Sequence, residues 1–248
     1  MHDVMAIALG AMQDDAARLE RIGSNLANAL TPGYKREVHV ALGGASASRG
    51  ADFAALVDGA GAGTASAALP QRDMRPGTLQ RTGQPLDLAL AGRGFFEVAT
   101  PAGPAWTRHG QFRLDPQGRV VDAEGRALQS TAGDLVLANG TPTVDANGDV
   151  HEEGRVVARL RLVDVAEPSR LERAGGGLYA AGSRSVEARP LDEPEATVRQ
   201  GWLENANVEP MREMVELVRT MRRFESVHRA VQAYDEMLGT GIRKLGDV

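Results

Sequence analysis

Several clusters in this sequence hold residue types that could do chemistry, and each lacks a part that its chemistry requires. Asp145-Ala146-Asn147-Gly148-Asp149 opens like a calcium loop, with side-chain oxygens at alternate positions. Val150 occupies the sixth position, where the sharp turn needs glycine, and Val156 the twelfth, where a glutamate should clamp the ion, so the segment reads as a hairpin turn. His2, His39, His109, His151 and His228 lack the i, i+4 spacing that sets two imidazoles on one helix face, and there is no cysteine to complete a zinc site. Gly92-Arg93-Gly94 has no third glycine and no following helix, so it reads as a tight turn rather than a dinucleotide cradle. Glu152-Glu153 and Asp192-Glu193 fall in polar stretches with no sign of a pocket that would set two carboxylates to work on a glycosidic bond. The expectation is therefore no catalytic residue, no metal site and no cofactor: a protein that is not an enzyme.

The elements that would position a site point instead to association. The 248 residues carry a net charge of -5 and no long basic run, which argues against a nucleic-acid partner. Asp14, Asp15, Arg18, Glu20 and Arg21 interrupt the N-terminal apolar segment, so no window reaches the roughly 18–20 apolar residues of a membrane span. Residues 1–12 have no basic start and no unbroken apolar core, so no ordinary secretory signal is expected.

Met5, Ala8, Met12, Ala16, Leu19, Ile22 and Leu26 recur every three or four positions and predict a helix with one apolar stripe. Thr31-Pro32-Gly33 stops it, because proline lacks an amide proton and glycine accepts positive φ. At the other end Met211, Met214, Val218, Met221, Phe224, Val227, Val231, Tyr234, Leu238, Ile242 and Leu245 follow a heptad-like period, with Asn205 or Asn207 as a possible cap. Helices of about 30 and 35 residues greatly exceed the ~11–12 of an average globular helix, and a one-sided stripe needs a covering helix. They are expected to pair with each other as a coiled coil.

Between them, short apolar runs alternate with the turn signals Asp115-Pro116-Gln117-Gly118, Asp122-Ala123-Glu124-Gly125 and Ala146-Asn147-Gly148-Asp149, which predicts an antiparallel β domain. The expected organisation is α+β. Residues 1–36 form the N-terminal helix and its motif, 37–77 an Ala/Gly-rich connector with Phe53, Leu56 and Val57 as its one apolar anchor, 78–202 the β domain, and 203–248 the C-terminal helix.

The run Ser24-Asn25-Leu26-Ala27-Asn28-Ala29-Leu30-Thr31-Pro32-Gly33-Tyr34-Lys35-Arg36 resembles the N-terminal signature of flagellar basal-body rod and hook proteins. Gly83 to Phe96 with Trp106 to Phe112, and Asn207 to Leu238, are similar to two further blocks of that family; Ser24 and Leu30 depart from its pattern. The single β domain fits the rod proteins better than the hook protein, and Arg222-Arg223-Phe224-Glu225 looks more like the proximal rod protein than the distal one. The resemblance implies a structural subunit of the flagellar rod, an axle that transmits torque. It also implies export by the flagellar type III apparatus without a cleaved signal and a final place in the periplasmic part of the basal body. Its partners would be other rod proteins and copies of itself.

On that reading the subunit interface takes Met5, Met12, Leu19, Ile22, Asn25, Leu26, Asn28, Thr31, Pro32, Gly33 and Tyr34 from the N-terminal segment. The C-terminal helix adds Met211, Met214, Val218, Met221, Phe224, Val227, Val231, Tyr234, Leu238 and Ile242. Asn25 and Asn28 would hydrogen-bond a neighbour's backbone. The alternatives are a distal rod protein and, outside the family, a β binding module tethered to a coiled coil, as in an adhesin.

Overall fold

The computed structural model describes residues 2–39, 70–138, 141–168, 171–181, 187–191 and 196–246. Most of the Ala/Gly-rich connector, with Phe53, Leu56 and Val57, and the Asp192-Glu193 pair lie outside them. The architecture is α+β: an N-terminal helix, a central antiparallel β region and a C-terminal helix. The chain divides into two compact units, one of Met1–Leu26, Glu37–Gln71 and Glu209–Val248, the other of Ala27–Arg36 and Arg72–Val208.

In the first unit, helix α1 spans His2–Ala27 and helix α2 spans Pro210–Gly246. Pro210 stands at the first helical position, where the missing amide proton costs nothing, and the Glu209 carbonyl accepts from the N–H groups of Arg212 and Glu213 at 3.0 Å each. The helix thus starts after both asparagines proposed as its cap. Arg18 Nη2 meets Glu216 Oε2 at 2.8 Å, and Arg223 Nε meets Asp15 Oδ2 at 3.2 Å. With Asn25 against Glu213, the partners run in opposite sequence order, so α1 and α2 lie antiparallel.

The covered face of α2 carries Glu213, Leu217, Thr220, Phe224, Val227, Val231 and Tyr234, spaced alternately by four and three; Glu213 and Thr220 are fully buried. The stripe read from the sequence coincides with this face from Phe224 to Tyr234. Before Phe224 its members Met211, Met214, Val218 and Met221 are 48–75% exposed. The reason is physical: the covered positions 213 and 220 are polar but satisfied, since Glu213 takes a hydrogen bond from Asn25 and Thr220 Oγ1 donates to the Glu216 carbonyl at 2.9 Å. A count of apolar residues passes over them.

The second unit is built on a six-stranded antiparallel sheet. Its strands stand in the order Glu172–Arg173, Leu178–Ala180, Gly103–Thr107, Phe95–Thr100, Leu162–Val165, Ala188–Pro190. Side chains alternate across it. Phe96 and Val98 face a core with Leu90, Phe112, Leu128 and Leu160, while Phe95 faces a smaller cluster with Trp106, Val163 and Tyr179. Phe96 and Phe112 meet edge-on with ring centroids 5.7 Å apart. The chain then passes from one sheet to another: Arg155–Arg159 is an edge of a three-stranded sheet, and Leu162–Val165 belongs to the six-stranded one.

Three turns repeat one design. Asp115, Asp122 and Asp145 each accept, through Oδ1, the backbone N–H groups two and four residues on, and each backbone carbonyl accepts from the glycine three residues on. The putting-together of carboxylate and amide oxygens that suggested a calcium loop at Asp145 is thus a hairpin turn.

Candidate functional site

In the second unit the segment Ala27–Arg36, which holds the end of the signature, is tied down by one carboxylate. Glu204, 1% exposed, takes Lys35 Nζ on Oε1 at 2.5 Å and Arg108 Nη1 on Oε2 at 3.2 Å; Lys35 and Arg108 are 2% and 6% exposed. Oε1 also accepts from the Gly77 amide at 2.9 Å, and the Glu204 backbone carbonyl accepts from the Gly33 amide at 2.6 Å. Both cations also donate to carbonyls: Lys35 to Arg75 at 3.0 Å, Arg108 to Leu90 at 3.2 Å and to Gly92 at 2.8 Å. Burial pushes both cations below their ordinary pKa, and Glu204 beside them opposes the shift.

Asn207 fastens the same segment. Its Oδ1 accepts from the Arg36 amide at 2.7 Å, and its Nδ2 donates to the carbonyls of Asp73 and Arg75 at 2.7 and 2.9 Å. It is a cross-link, not a helix cap. Tyr34 is buried with the Arg173 guanidinium 5.1 Å from its ring centroid, and Gly33 is buried with φ +68°. Thr31 and Pro32 are half-buried; Asn28 closes the turn after α1, accepting from the Thr31 amide at 3.0 Å.

In the first unit Asn25 is fully buried and uses both ends of its amide inside the chain. Oδ1 accepts from the Glu37 amide at 2.9 Å, while Nδ2 donates to the Glu37 carbonyl at 3.1 Å and to Glu213 Oε2 at 3.3 Å. The hydrogen bonds expected toward a neighbour are made within this unit. Ile22 is buried; Met12, Leu19, Leu26, Phe224, Val227, Val231 and Tyr234 are half-buried; Met5 is exposed. The side chains of Leu238 and Ile242 lie outside the described residues.

Asp15 is buried on α1, and its pKa is raised, chiefly by burial, with Arg223 pulling the other way. A carboxyl whose folded pKa lies above its unfolded value contributes stability that is present below about 3.8 and is lost as the pH rises through the folded value. Asp15→Asn is therefore expected to raise the melting temperature of the helical signal at pH 7.5 and to leave it nearly unchanged at pH 3.5. Circular dichroism at 222 nm at the two pH values measures this, and a lower melting temperature at pH 7.5 would show that the Arg223 pair outweighs burial.

The sequence reading passed over Glu204, Arg108, Lys35, Glu213 and Asp15. The available signal was weak: a lone acid after the apolar pair Trp202-Leu203, and a lysine inside the signature. Among the described residues there is no group of three or more histidines and carboxylates able to hold a metal, and no helix long and apolar enough to cross a membrane.

The geometry describes a protein whose buried polar groups fasten chain segments to one another, with a helical unit and a β unit. Family models agree with that plan. The flagella basal body rod protein model matches residues 5–35, the flagellar hook protein FlgE/F/G D1 domain residues 89–158, and the flagellar basal body rod FlgEFG protein C-terminal model residues 199–244. The chain is 28% identical over 253 residues to the flagellar basal-body rod protein FlgF of Mesorhizobium japonicum, covering 99% of both chains. It is 30% identical over 254 residues to FlgF of Salmonella typhimurium, covering 96% of both, and 28% identical over 253 residues to the rod protein FlgG of Bacillus subtilis, covering 93% of this chain and 94% of the relative. The chain belongs to the flagellar basal-body rod protein family.

Proposed function

We propose that this chain is a structural, non-enzymatic subunit of the bacterial flagellar basal-body rod that joins neighbouring rod proteins and copies of itself through the outer face of α2. One observation carries the reading: Met211, Met214, Val218 and Met221 stand 75%, 51%, 48% and 48% exposed, one to two helical turns apart, on a helix whose opposite face is already covered. A contiguous exposed apolar stripe marks a surface meant to be covered. Each such side chain, once fully buried, contributes up to about 1.5–3 kcal/mol. The alternating spacing of three and four on the covered face supports coiled-coil pairing of α1 with α2. The resemblance at Arg222-Arg223-Phe224-Glu225 favours the proximal rod over the distal one. Export by the flagellar type III apparatus, without a cleaved signal, and a periplasmic location belong to the same proposal.

The doubly substituted chain Met214→Glu, Val218→Glu tests it. Both positions are exposed, so the unfolding free energy of the isolated chain is expected to move by no more than about 0.5 kcal/mol per site. Swimming in soft agar is expected to fall to the level of a deletion strain, with basal bodies lacking the rod segment this chain supplies. Full motility in the double variant would remove the outer stripe from the interface.

A further inference from the structure

Three of the side chains on the outer stripe of α2 are thioethers. Met211, Met214 and Met221 are 75%, 51% and 48% exposed, and they span about 15 Å along the helix. Met12 and Met74, by contrast, are half-buried, Met74 against the smaller core cluster of the β unit. The chain has no cysteine, so no thiol stands ahead of these sulfurs as the more reactive target of an oxidant.

The charges around the stripe select among oxidants. Arg212, Arg219 and Arg222 are exposed, and their guanidinium groups pair with no carboxylate among the described residues. Glu216 on the same stretch is taken by Arg18, and Glu213 is buried on the covered face, which leaves the exposed Glu209 against three cations. A local excess of positive charge concentrates an anionic reagent and speeds its arrival.

We propose that Met211, Met214 and Met221 form a reversible oxidation site for two-electron oxidants, anionic chloramines above all, and that sulfoxide at these positions switches the stripe from apolar to polar. The sulfur lone pair attacks the chlorine of an N-chloroamine, so an S–Cl bond forms and the N–Cl bond breaks. Water then adds to sulfur and chloride leaves; one proton goes to the amine nitrogen and one to solvent. Sulfur loses two electrons and chlorine gains them. The sulfoxide no longer fills an apolar contact, and thiol-dependent reductases return it to the thioether. The oxidation itself stands on exposure and charge. Its consequence for joining subunits rests on the proposed role of the stripe as an interface, and it acts on the chain not yet joined, whose sulfurs are uncovered.

The test treats the full chain with N-chlorotaurine, an anionic chloramine, or with hydrogen peroxide, and maps sulfoxide by peptide mass spectrometry. Met211, Met214 and Met221 are expected to oxidise at least about fivefold faster than Met12 and Met74 with either reagent. Raising the salt from about 20 to about 300 mM should slow N-chlorotaurine at the three sites about twofold or more and leave peroxide unchanged, since screening acts on the charged reagent alone. Retention on a phenyl column is expected to fall on oxidation, with the helical circular-dichroism signal kept, and to recover after treatment with methionine sulfoxide reductases A and B. The variant Met211→Leu, Met214→Leu, Met221→Leu, compared with its own untreated sample, should keep its retention, although Met237, 68% exposed and beyond the stripe, still oxidises. Equal rates at all methionines, a chloramine rate indifferent to salt, loss of the helical signal together with retention, or the same retention loss in the variant overturns the proposal. Should the leucine variant misfold, the wild-type sulfoxide map and its reversal decide alone. In cells, N-chlorotaurine should lower wild-type swimming, relative to the untreated strain, more than it lowers that of the leucine variant; equal losses overturn the switch. Failure of the rod reading would show instead as full motility of Met214→Glu, Val218→Glu, with the wild-type sulfoxide map and retention shift unaffected.

Discussion

Glu204→Ala is expected to destabilise the β unit by about 3–5 kcal/mol, because it leaves two buried cations without their counter-charge. The loss is not that of one salt bridge. Lys35 and Arg108 are 98% and 94% buried by their exposures of 2% and 6%, so neither can turn to water when the carboxylate goes, and the Gly77 amide loses its acceptor as well. Glu204→Gln keeps an acceptor for part of this set and is expected to cost less than the alanine. Urea unfolding followed by tryptophan fluorescence is the measurement, since both tryptophans, Trp106 and Trp202, lie within the β unit. A double-mutant cycle with Lys35→Ala should be strongly non-additive, since the partners touch at 2.5 Å. An alanine variant within about 1 kcal/mol of wild type would mean that water reaches the cluster and the ions are not bound to one another as the geometry shows.

That cluster also marks the limit of what could be read from the chain. Periodicity exposes faces, and it found α1, α2 and such strands as Leu88–Gly92 and Phe95–Thr100, which bury several of their side chains. The Asp-x-x-Gly turns were legible for a local reason: acceptor, donors and glycine lie within five residues. Glu204 has no such signature. Its partners Gly33, Lys35, Gly77 and Arg108 come from three distant stretches of chain, and nothing in the spacing shows that they converge.

Helix α2 fails differently. It carries two apolar faces in its first half, and the more apolar of them, Met211 to Met221, is the one left exposed. The covered face passes through Glu213 and Thr220, which a hydrophobic count scores as solvent-facing although hydrogen bonds make their burial tolerable. Asn25 is the same case seen from α1. Its side chain imitates a backbone amide toward Glu37, a role that needs the chain after the Thr31-Pro32-Gly33 stop to return alongside the helix. Only the fold reveals that return.

Gly33→Ala carries the other large expected effect, and Gly83→Ala isolates its cause. Both glycines have left-handed backbones, φ +68° and +74°, so each substitution incurs the roughly 1–2 kcal/mol that an L-residue loses there. A Cβ at Gly83 meets nothing within 4 Å. At Gly33 it falls 2.3 Å from the Arg108 carbonyl carbon, 2.4 Å from its oxygen and 2.5 Å from the His109 nitrogen, and backbone cannot swing aside as a side-chain tip can. Either the segment after α1 lifts away, breaking the 2.6 Å bond from the Gly33 amide to Glu204, or the Arg108–His109 peptide shifts and drags the buried guanidinium off its three acceptors. Both routes disturb the ion cluster. Gly83→Ala should therefore cost about 1–2 kcal/mol and Gly33→Ala roughly twice that or more, in the range of backbone-strain mutants with a lost buried contact. The same tryptophan-monitored urea titration compares them. Equal losses at the two positions would mean that the signature segment stands off the Arg108–His109 peptide, and that its glycine serves the turn alone.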